Sequence, residues 1–352
     1  MPELNIPKTQ RALICDEVGS PLKVREIPVP EPGPDELLVK IHFSGVCHSD
    51  MHIWLGEVPI KFPSPPAVGG HEGSGVVVKV GENVTNFKVG DRAGVKWING
   101  TCLNCDKCKL GFEESCATTL YTGGTRNGTF QEYALIKASE APHIPDNVDM
   151  AKVAPVLCAG LTVYRALKDT NVRAGQIVAI TGAGGGLGSM AIQYAKAIGM
   201  RVLALDIGPE KEKHCKKLGA EFFVDPTVEA NVVEKVLTLT KGGPHGVVHI
   251  ATSEKPLEDA FKYVRTRGTI VIVSLPKDAT LVTDIFSLVL RVITIKGSYV
   301  GSRADMDEAI DFFARGLIDI PIEIYALEDI PKVYDRLHKG DIRGRAVIDL
   351  SK

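Results

Sequence analysis

Several things are scarce in this chain of 352 residues. Aromatic residues make up 6%, with only two tryptophans, and Lys+Arg (41) nearly balances Asp+Glu (43) for a net charge of −2. Without an excess of positive charge there is no electrostatic footprint for nucleic acid or an anionic membrane, so neither is expected as a partner. No apolar run approaches the roughly 18–20 residues of a membrane span. The N-terminus, Met1-Pro2-Glu3-Leu4-Asn5-Ile6-Pro7, shows neither a secretory nor a transit pattern, and a cytosolic protein is expected. What is present is an ordinary globular balance, 44% hydrophobic and 24% charged, at a length that calls for about two domains.

Eight cysteines could form four disulfides, but a cytosolic chain does not need them. Four fall within fifteen residues as Cys102-x2-Cys105-x2-Cys108-x7-Cys116, separated by polar and flexible residues. Thiols three apart in a turning loop converge on one ion, and four of them close a tetrahedral Zn²⁺ shell, so a structural zinc lobe is expected at 100–118. A set of free thiols is the alternative, but two would suffice for redox chemistry.

Up to about residue 155 the chain reads as short strands and loops with frequent Gly and Pro, such as Leu37–His42 and Gly75–Val80. From about 170 the texture becomes strand, glycine turn, helix, repeated. Strands are expected at 176–181, 201–206, 221–225, 246–250, 269–274 and 292–297. Leu187, Met190, Ala191, Tyr194, Ala195 and Ile198 recur at helical spacing, and Gly199 is the stop. The fold class is therefore α/β, with a doubly wound parallel sheet in the second part. The tail has a helix near 306–315 and a last strand near 346–350, and returns to the first domain.

No strict GxGxxG occurs. The first turn of the α/β half is Gly182-Ala183-Gly184-Gly185-Gly186-Leu187-Gly188, in which Gly182, Gly185 and Gly188 form GxxGxxG. Glycines there let the backbone approach a pyrophosphate held at the helix N-terminus. Asp206, 18 residues beyond Gly188 at the end of the next strand, suits the adenosine ribose hydroxyls and repels a 2′-phosphate. Ile207 and Gly208 follow with no arginine, which favours NAD over NADP.

Two other segments are rich in ligand-type side chains: Cys47-His48-Ser49-Asp50-Met51-His52 and Gly69-Gly70-His71-Glu72-Gly73. Cys158, in Pro155-Val156-Leu157-Cys158-Ala159-Gly160, reads from spacing alone as a small buried hydrophobe. The run Gly70-His71-Glu72-x2-Gly75-x5-Gly81-x2-Val84 resembles the zinc signature of the medium-chain, zinc-containing alcohol dehydrogenases at every specified position. Ser44–His48, Val68–Gly73, Val156–Gly160 and Gly297-Ser298-Tyr299-Val300-Gly301 resemble in particular the fungal, yeast-type ethanol enzymes, and the similarity runs over nearly the whole length.

The resemblance implies a GroES-like, mostly-β catalytic domain at 1–157, a Rossmann NAD-binding domain at 158–297 and a return to the first domain over 298–352. It implies two Zn²⁺ per chain and a homotetramer. Cys47, His71 and Cys158 match the catalytic zinc ligands, Glu72 an acid beside the metal, and Asp50 the carboxylate that orients the ligand histidine. Ser49 and His52 match a proton relay. His48 and Arg345 match residues at the coenzyme pyrophosphate, Thr162 one beside the nicotinamide, and Lys211 one near the adenosine ribose. Val273, Leu275, Ser298 and Val300 fall with the coenzyme, near the carboxamide. The activity implied is reversible hydride transfer from a primary, or also a secondary, alcohol to NAD. Polyol dehydrogenation and a non-enzymatic NAD-sensing zinc protein are the competing readings, and a zinc-free quinone reductase would lack both His71-Glu72 and the cysteine lobe.

The sequence departs from the brewing-type relatives at the substrate pocket. Val58 stands where tryptophan is usual, Ser49 where threonine is, and Leu275 where methionine is common, while Trp97 keeps the second aromatic wall. A wider slot is expected, with an insertion near Pro63-Ser64-Pro65-Pro66 shifting the alignment around Val58.

Overall fold

The computed structural model describes residues 6–58, 66–276, 279–342 and 344–351. The chain divides into two compact units. The first comprises Met1–Cys158, Ser302–Ala314 and Ile320–Lys352, the second Ala159–Gly301 and Arg315–Asp319.

In the first unit β1 (Thr9–Cys15) pairs with β2 (Lys23–Pro28) and β4 (Ala67–Val68). The larger sheet is built on β3 (Glu36–Gly45), which lies antiparallel to β5 (Glu72–Val80) and β9 (Tyr133–Lys137), and β6 (Arg92–Val95) extends it beyond β5. β7 (Ile98–Gly100) and β8 (Leu120–Tyr121) form a separate ribbon flanking the cysteine lobe. Leu37, Val39, Ile41, Val77, Ala134 and Ile136 alternate inward from the pleat and form the core. Helix α1 (His48–Trp54) starts directly after β3, with the Asp50 carboxylate accepting the Cys47 N–H at 2.9 Å as an N-terminal cap. Two short helices follow, α2 (Asp106–Lys109) in the lobe and α3 (Met150–Val153).

In the second unit β10 (Ile177–Thr181), β11 (Arg201–Leu205), β12 (Phe222–Val224), β13 (Gly246–His249), β14 (Thr269–Ile272) and β15 (Thr294–Gly297) form one parallel sheet in the order 12-11-10-13-14-15. Helices α4 (Ala159–Asp169), α5 (Gly186–Ala197), α6 (Pro209–Leu218), α7 (Val232–Thr240), α8 (Lys255–Tyr263) and α9 (Ile285–Leu290) belong to the same unit. Val178, Ala179 and Ile180 are all fully buried, the mark of a central strand covered on both faces. The order of strands reverses on either side of β10, so the glycine turn leaves the sheet at its switch point.

The tail contributes α10 (Arg303–Ala314), α11 (Ile330–Lys339), β16 (Ile322–Tyr325) and β17 (Arg345–Asp349) to the first unit, where β17 pairs antiparallel with β3. The return differs from the expected boundaries in three places. Residues 298–301 stay with the second unit because Ser298 donates its N–H to Ile272 at 2.9 Å and its hydroxyl to Asp169 at 2.9 Å. Residues 315–319 also go with it, since Gln193 on α5 makes two hydrogen bonds to the Asp319 backbone. Cys158 belongs to the first unit, drawn there by His71.

Candidate active site

Four buried side chains of the first unit converge: the ligand atoms of Cys47, His71, Glu72 and Cys158 all lie within 4.8 Å of one another. Cys47 comes from the junction of β3 and α1, His71 and Glu72 from the start of β5, and Cys158 from the turn before α4. His71 Nδ1 donates to Asp50 Oδ1 at 2.6 Å, which leaves Nε2 aimed at Cys158 Sγ, 3.1 Å away. Asp50 therefore has two tasks, capping α1 and fixing the histidine tautomer. The ring of Trp97 meets His71 edge-on at 5.0 Å and stacks on Tyr121, forming an apolar wall beside the cluster.

The titration behaviour has the same cause. A hydrogen bond from Cys158 draws the Cys47 thiol well below its ordinary range, against the effect of burial, and the same bond with burial drives Cys158 up. Burial opposes protonation of His71, but the charge and hydrogen bond of Asp50 overcome it and hold the ring's pKa well above normal. Burial raises Glu72 to about 7 although Arg345 pulls the other way. A cluster that traps protons in this manner fits a divalent cation, which takes their place when the thiols and imidazole deprotonate. Two sulfurs and one imidazole are a zinc donor set with a fourth position to spare.

Glu72 is wholly buried. Its Oε1 accepts from Arg345 at 2.6 Å, and Oε2 has no partner. A Cβ on residue 45 would fall 1.9 Å from that Oε2, so only glycine leaves room for the carboxylate. The Arg345–Glu72 pair spans 273 positions and has no signature in the sequence, where Arg345 is expected at the coenzyme alone. His48 is likewise tied down, its Nε2 donating to the Leu337 carbonyl at 3.1 Å, and burial lowers its pKa. Ser49 Oγ lies 3.6 Å from Cys47 Sγ. Along the same helix the His52 ring is 6.2 Å from His48, is 41% exposed, and contacts Glu57 at 2.6 Å, a suitable port for a proton. Val58 is half-buried, whereas residues 59–65, which contain most of the expected insertion, lie outside the described residues.

The second cluster is the lobe. Cys102, Cys105, Cys108 and Cys116 hold their sulfurs within 4.8 Å of one another. The N–H groups of Cys105 and Cys108 point at the sulfurs of Cys102 and Cys105, at 3.3 and 3.5 Å. Burial pushes Cys108 up to about 12, while Cys116, against its own burial, is brought down to about 6 by the Thr118 hydroxyl. Four protein sulfurs leave a bound ion no open position.

The second unit carries its own candidate site. Asp206, just beyond β11, is buried and accepts from the Gly184 N–H at 2.7 Å, the Ile207 N–H at 2.7 Å and Lys211 at 2.8 Å. A Cβ on residue 188 would stand 2.4 Å from the Gly182 carbonyl, so the first turn of α5 packs on the glycine turn only with glycine there. Gly185 is the N-cap of α5 and Gly186 and Leu187 begin it. Val273 and Ser298 follow β14 and β15, Thr162 sits on α4, and Leu275 is 84% exposed. Val300 is buried with a φ of +43°, a strained setting for a β-branched residue.

Residues 33–146 match the alcohol dehydrogenase GroES-like domain and residues 186–315 the zinc-binding dehydrogenase domain. Alcohol dehydrogenase 1 of Caenorhabditis elegans is 53% identical over 348 residues, covering 99% of both chains. This chain belongs to the zinc-binding medium-chain alcohol dehydrogenases. Alcohol dehydrogenase 2 of the same animal is 52% identical over 352 residues, 100% of this chain and 99% of that one. Among solved structures of this dehydrogenase fold, acetophenone reductase from Geotrichum candidum in complex with NAD superposes with a TM-score of 0.85 at 29% identity, over 98% of each chain. Cys47, His71 and Glu72 fall in the first matched domain and Gly186, Gly188 and Asp206 in the second, while Cys158 lies in the stretch between the two.

Proposed function

We propose that the protein oxidises primary alcohols, and also secondary ones, to aldehydes or ketones with NAD, reversibly, using one catalytic and one structural zinc. The observation that carries this reading is the convergence of Cys47, His71 and Cys158 with Asp50 locked behind the histidine. Bound there, zinc supplies Lewis acidity to an alcohol or carbonyl oxygen. The chain does the rest. Cys47 and Cys158 provide negative charge in a dry site, and Asp50 fixes the ring of His71. Trp97 walls the slot from water. Ser49 would take up the substrate hydroxyl proton as it gives up its own toward His52, whose solvent-accessible imidazole can release it to water. Glu72, raised to about 7 and held by Arg345, is a reserve carboxylate beside the ion.

The motifs at 44–48, 68–73 and 156–160 support the ethanol type found in fungi over the polyol type. Replacing tryptophan by Val58 and threonine by Ser49 widens the slot. We expect kcat/KM to hold or rise from ethanol through butanol in a C2–C8 series, with activity lost on chelation and two zincs counted per chain. A steep fall between ethanol and butanol would remove the wide-slot reading.

NAD preference rests on the Asp206 carboxylate. Lys211 already sits on it, so Asp206→Asn would release a cation while keeping an acceptor for the Gly184 N–H. A charge-assisted hydrogen bond is worth about 1.5–3 kcal/mol, so the NAD/NADP ratio of kcat/KM should fall roughly 10–100-fold. An unchanged ratio would remove Asp206 from that role.

Self-association as a tetramer is part of the proposal. Ile285, Phe286, Val289 and Leu290 on α9 are all exposed, and β15 is an edge strand of the same unit, a surface suited to a second copy. The four-thiolate lobe calls for a reducing compartment, which supports the cytosol; alcohols, aldehydes and ketones are the small-molecule partners.

A further inference from the structure

The glycine turn of the second unit is held on two sides, and only one of them involves Asp206. Toward β11, Gly182 and Ala183 donate to the Leu205 carbonyl and Gly184 donates to Asp206. Toward β13, the turn leans on the chain just beyond His249: a Cβ on residue 182 would come 3.1 Å from the Ala251 nitrogen and 3.3 Å from its Cα. The residue joining the two at this side is Thr181, the last of β10. Its Oγ1 accepts the N–H groups of Ile250 at 3.2 Å and, more weakly, Ala251 at 3.4 Å, and lies 2.9 Å from His249 Nδ1. With the oxygen already accepting, the hydroxyl proton goes to the imidazole, so Nδ1 is the acceptor and Nε2 carries the hydrogen.

His249 is 1% exposed and ends the neighbouring strand, in register with Thr181. Burial lowers its pKa to about 4, in keeping with a neutral ring that accepts from Thr181. Its carbonyl accepts from Val273 at 3.0 Å and from Ser274 at 3.4 Å, where the chain leaves β14. One residue thus ties the carboxyl ends of β10, β13 and β14, the edge of a parallel sheet at which ligands bind.

We infer that His249, acting through the Thr181 hydroxyl, is a positioning residue for the dinucleotide, fixing the height of the glycine turn against the end of β13. The inference rests on the coenzyme reading given above and adds a residue to it. Neither residue touches the zinc cluster, so the effect falls on coenzyme binding rather than on the metal.

The test is NADH affinity, read by fluorescence titration of the full zinc-loaded protein. Thr181→Val and His249→Leu should each weaken NADH binding by about tenfold, the size of one hydrogen bond. Thr181→Ser and His249→Asn, which keep a hydroxyl and an acceptor in place of Nδ1, should stay within about threefold of wild type. The double variant Thr181→Val/His249→Leu should be no weaker than either single one, because both cut the same link. KM for NAD should rise with kcat at saturating NAD unchanged within about twofold and zinc content unaltered. A merely structural role would lower Tm while folded protein bound NADH as wild type does, and that result, or multiplicative losses in the double variant, would overturn the inference. If His249→Leu does not fold, Thr181→Val, nearly the same shape, decides alone. Failure of the wild type itself to bind NADH would instead overturn the coenzyme reading.

Discussion

His71→Ala is expected to cut alcohol turnover by orders of magnitude and to lose the proposed catalytic zinc while the fold survives. The imidazole converges with two thiols and the Glu72 carboxylate, and a cation held by this set would supply several kcal/mol of charge stabilisation. At about 1.4 kcal/mol per factor of ten, losing roughly 4–6 kcal/mol lowers kcat/KM by about 10³–10⁴-fold. Removing the ring also strands the Asp50 carboxylate, buried at 4% exposure with its Cys47 N–H bond intact but its strongest partner gone. Cys47→Ala should behave in the same way for turnover. Steady-state kinetics with NADH absorbance, alongside metal analysis, checks both. Wild-type rates from a variant holding only the lobe zinc would show that the chemistry lies elsewhere.

Cys108→Ala has the opposite profile: it costs stability before it costs catalysis. Cys108 is buried in the lobe, and its sulfur is 3.9 Å from that of Cys102. Structural zinc contributes about 10–16 kcal/mol to the folding of isolated zinc-finger peptides. Losing even about 3–5 kcal/mol of such a contribution lowers Tm by on the order of 10 °C in a chain of this size. The damage spreads because Glu113, inside the lobe, is buried and accepts from both the N–H and Nε of Arg303 at the start of α10, at 2.6 and 3.0 Å. Thermal unfolding and zinc counting should give a large drop in Tm with one zinc left, and turnover retained at low temperature. Unchanged Tm after loss of that zinc would mean the lobe is an ornament on an independently stable unit.

Much of this is legible in the sequence alone. The six strands of the parallel sheet fall within a residue or two of the stretches expected from texture, because short runs rich in β-branched and apolar residues between glycine turns and helical patterns admit few other readings. The lobe is legible because four thiols in fifteen residues have one economical use. Cys158 is not: its neighbours are apolar and His71, the ring beside its sulfur, stands 87 positions away, so only the resemblance singles it out. The pairing of Arg345 with Glu72 and the hold of His249 on Thr181 are hidden for the same reason. Both join residues far apart in sequence, and neither residue type is unusual where it stands. The exact point of return to the first unit is equally hidden in the sequence, since it is set by a few hydrogen bonds made by Ser298 and Gln193.

The most direct test is a diffraction measurement on zinc-loaded crystals across the zinc absorption edge. Two anomalous peaks per chain are predicted. One should lie about 2.3 Å from the sulfurs of Cys47 and Cys158 and about 2.0 Å from His71 Nε2, the other about 2.3 Å from all four lobe sulfurs. A fully loaded protein with no peak among Cys47, His71 and Cys158 would contradict the account at its centre.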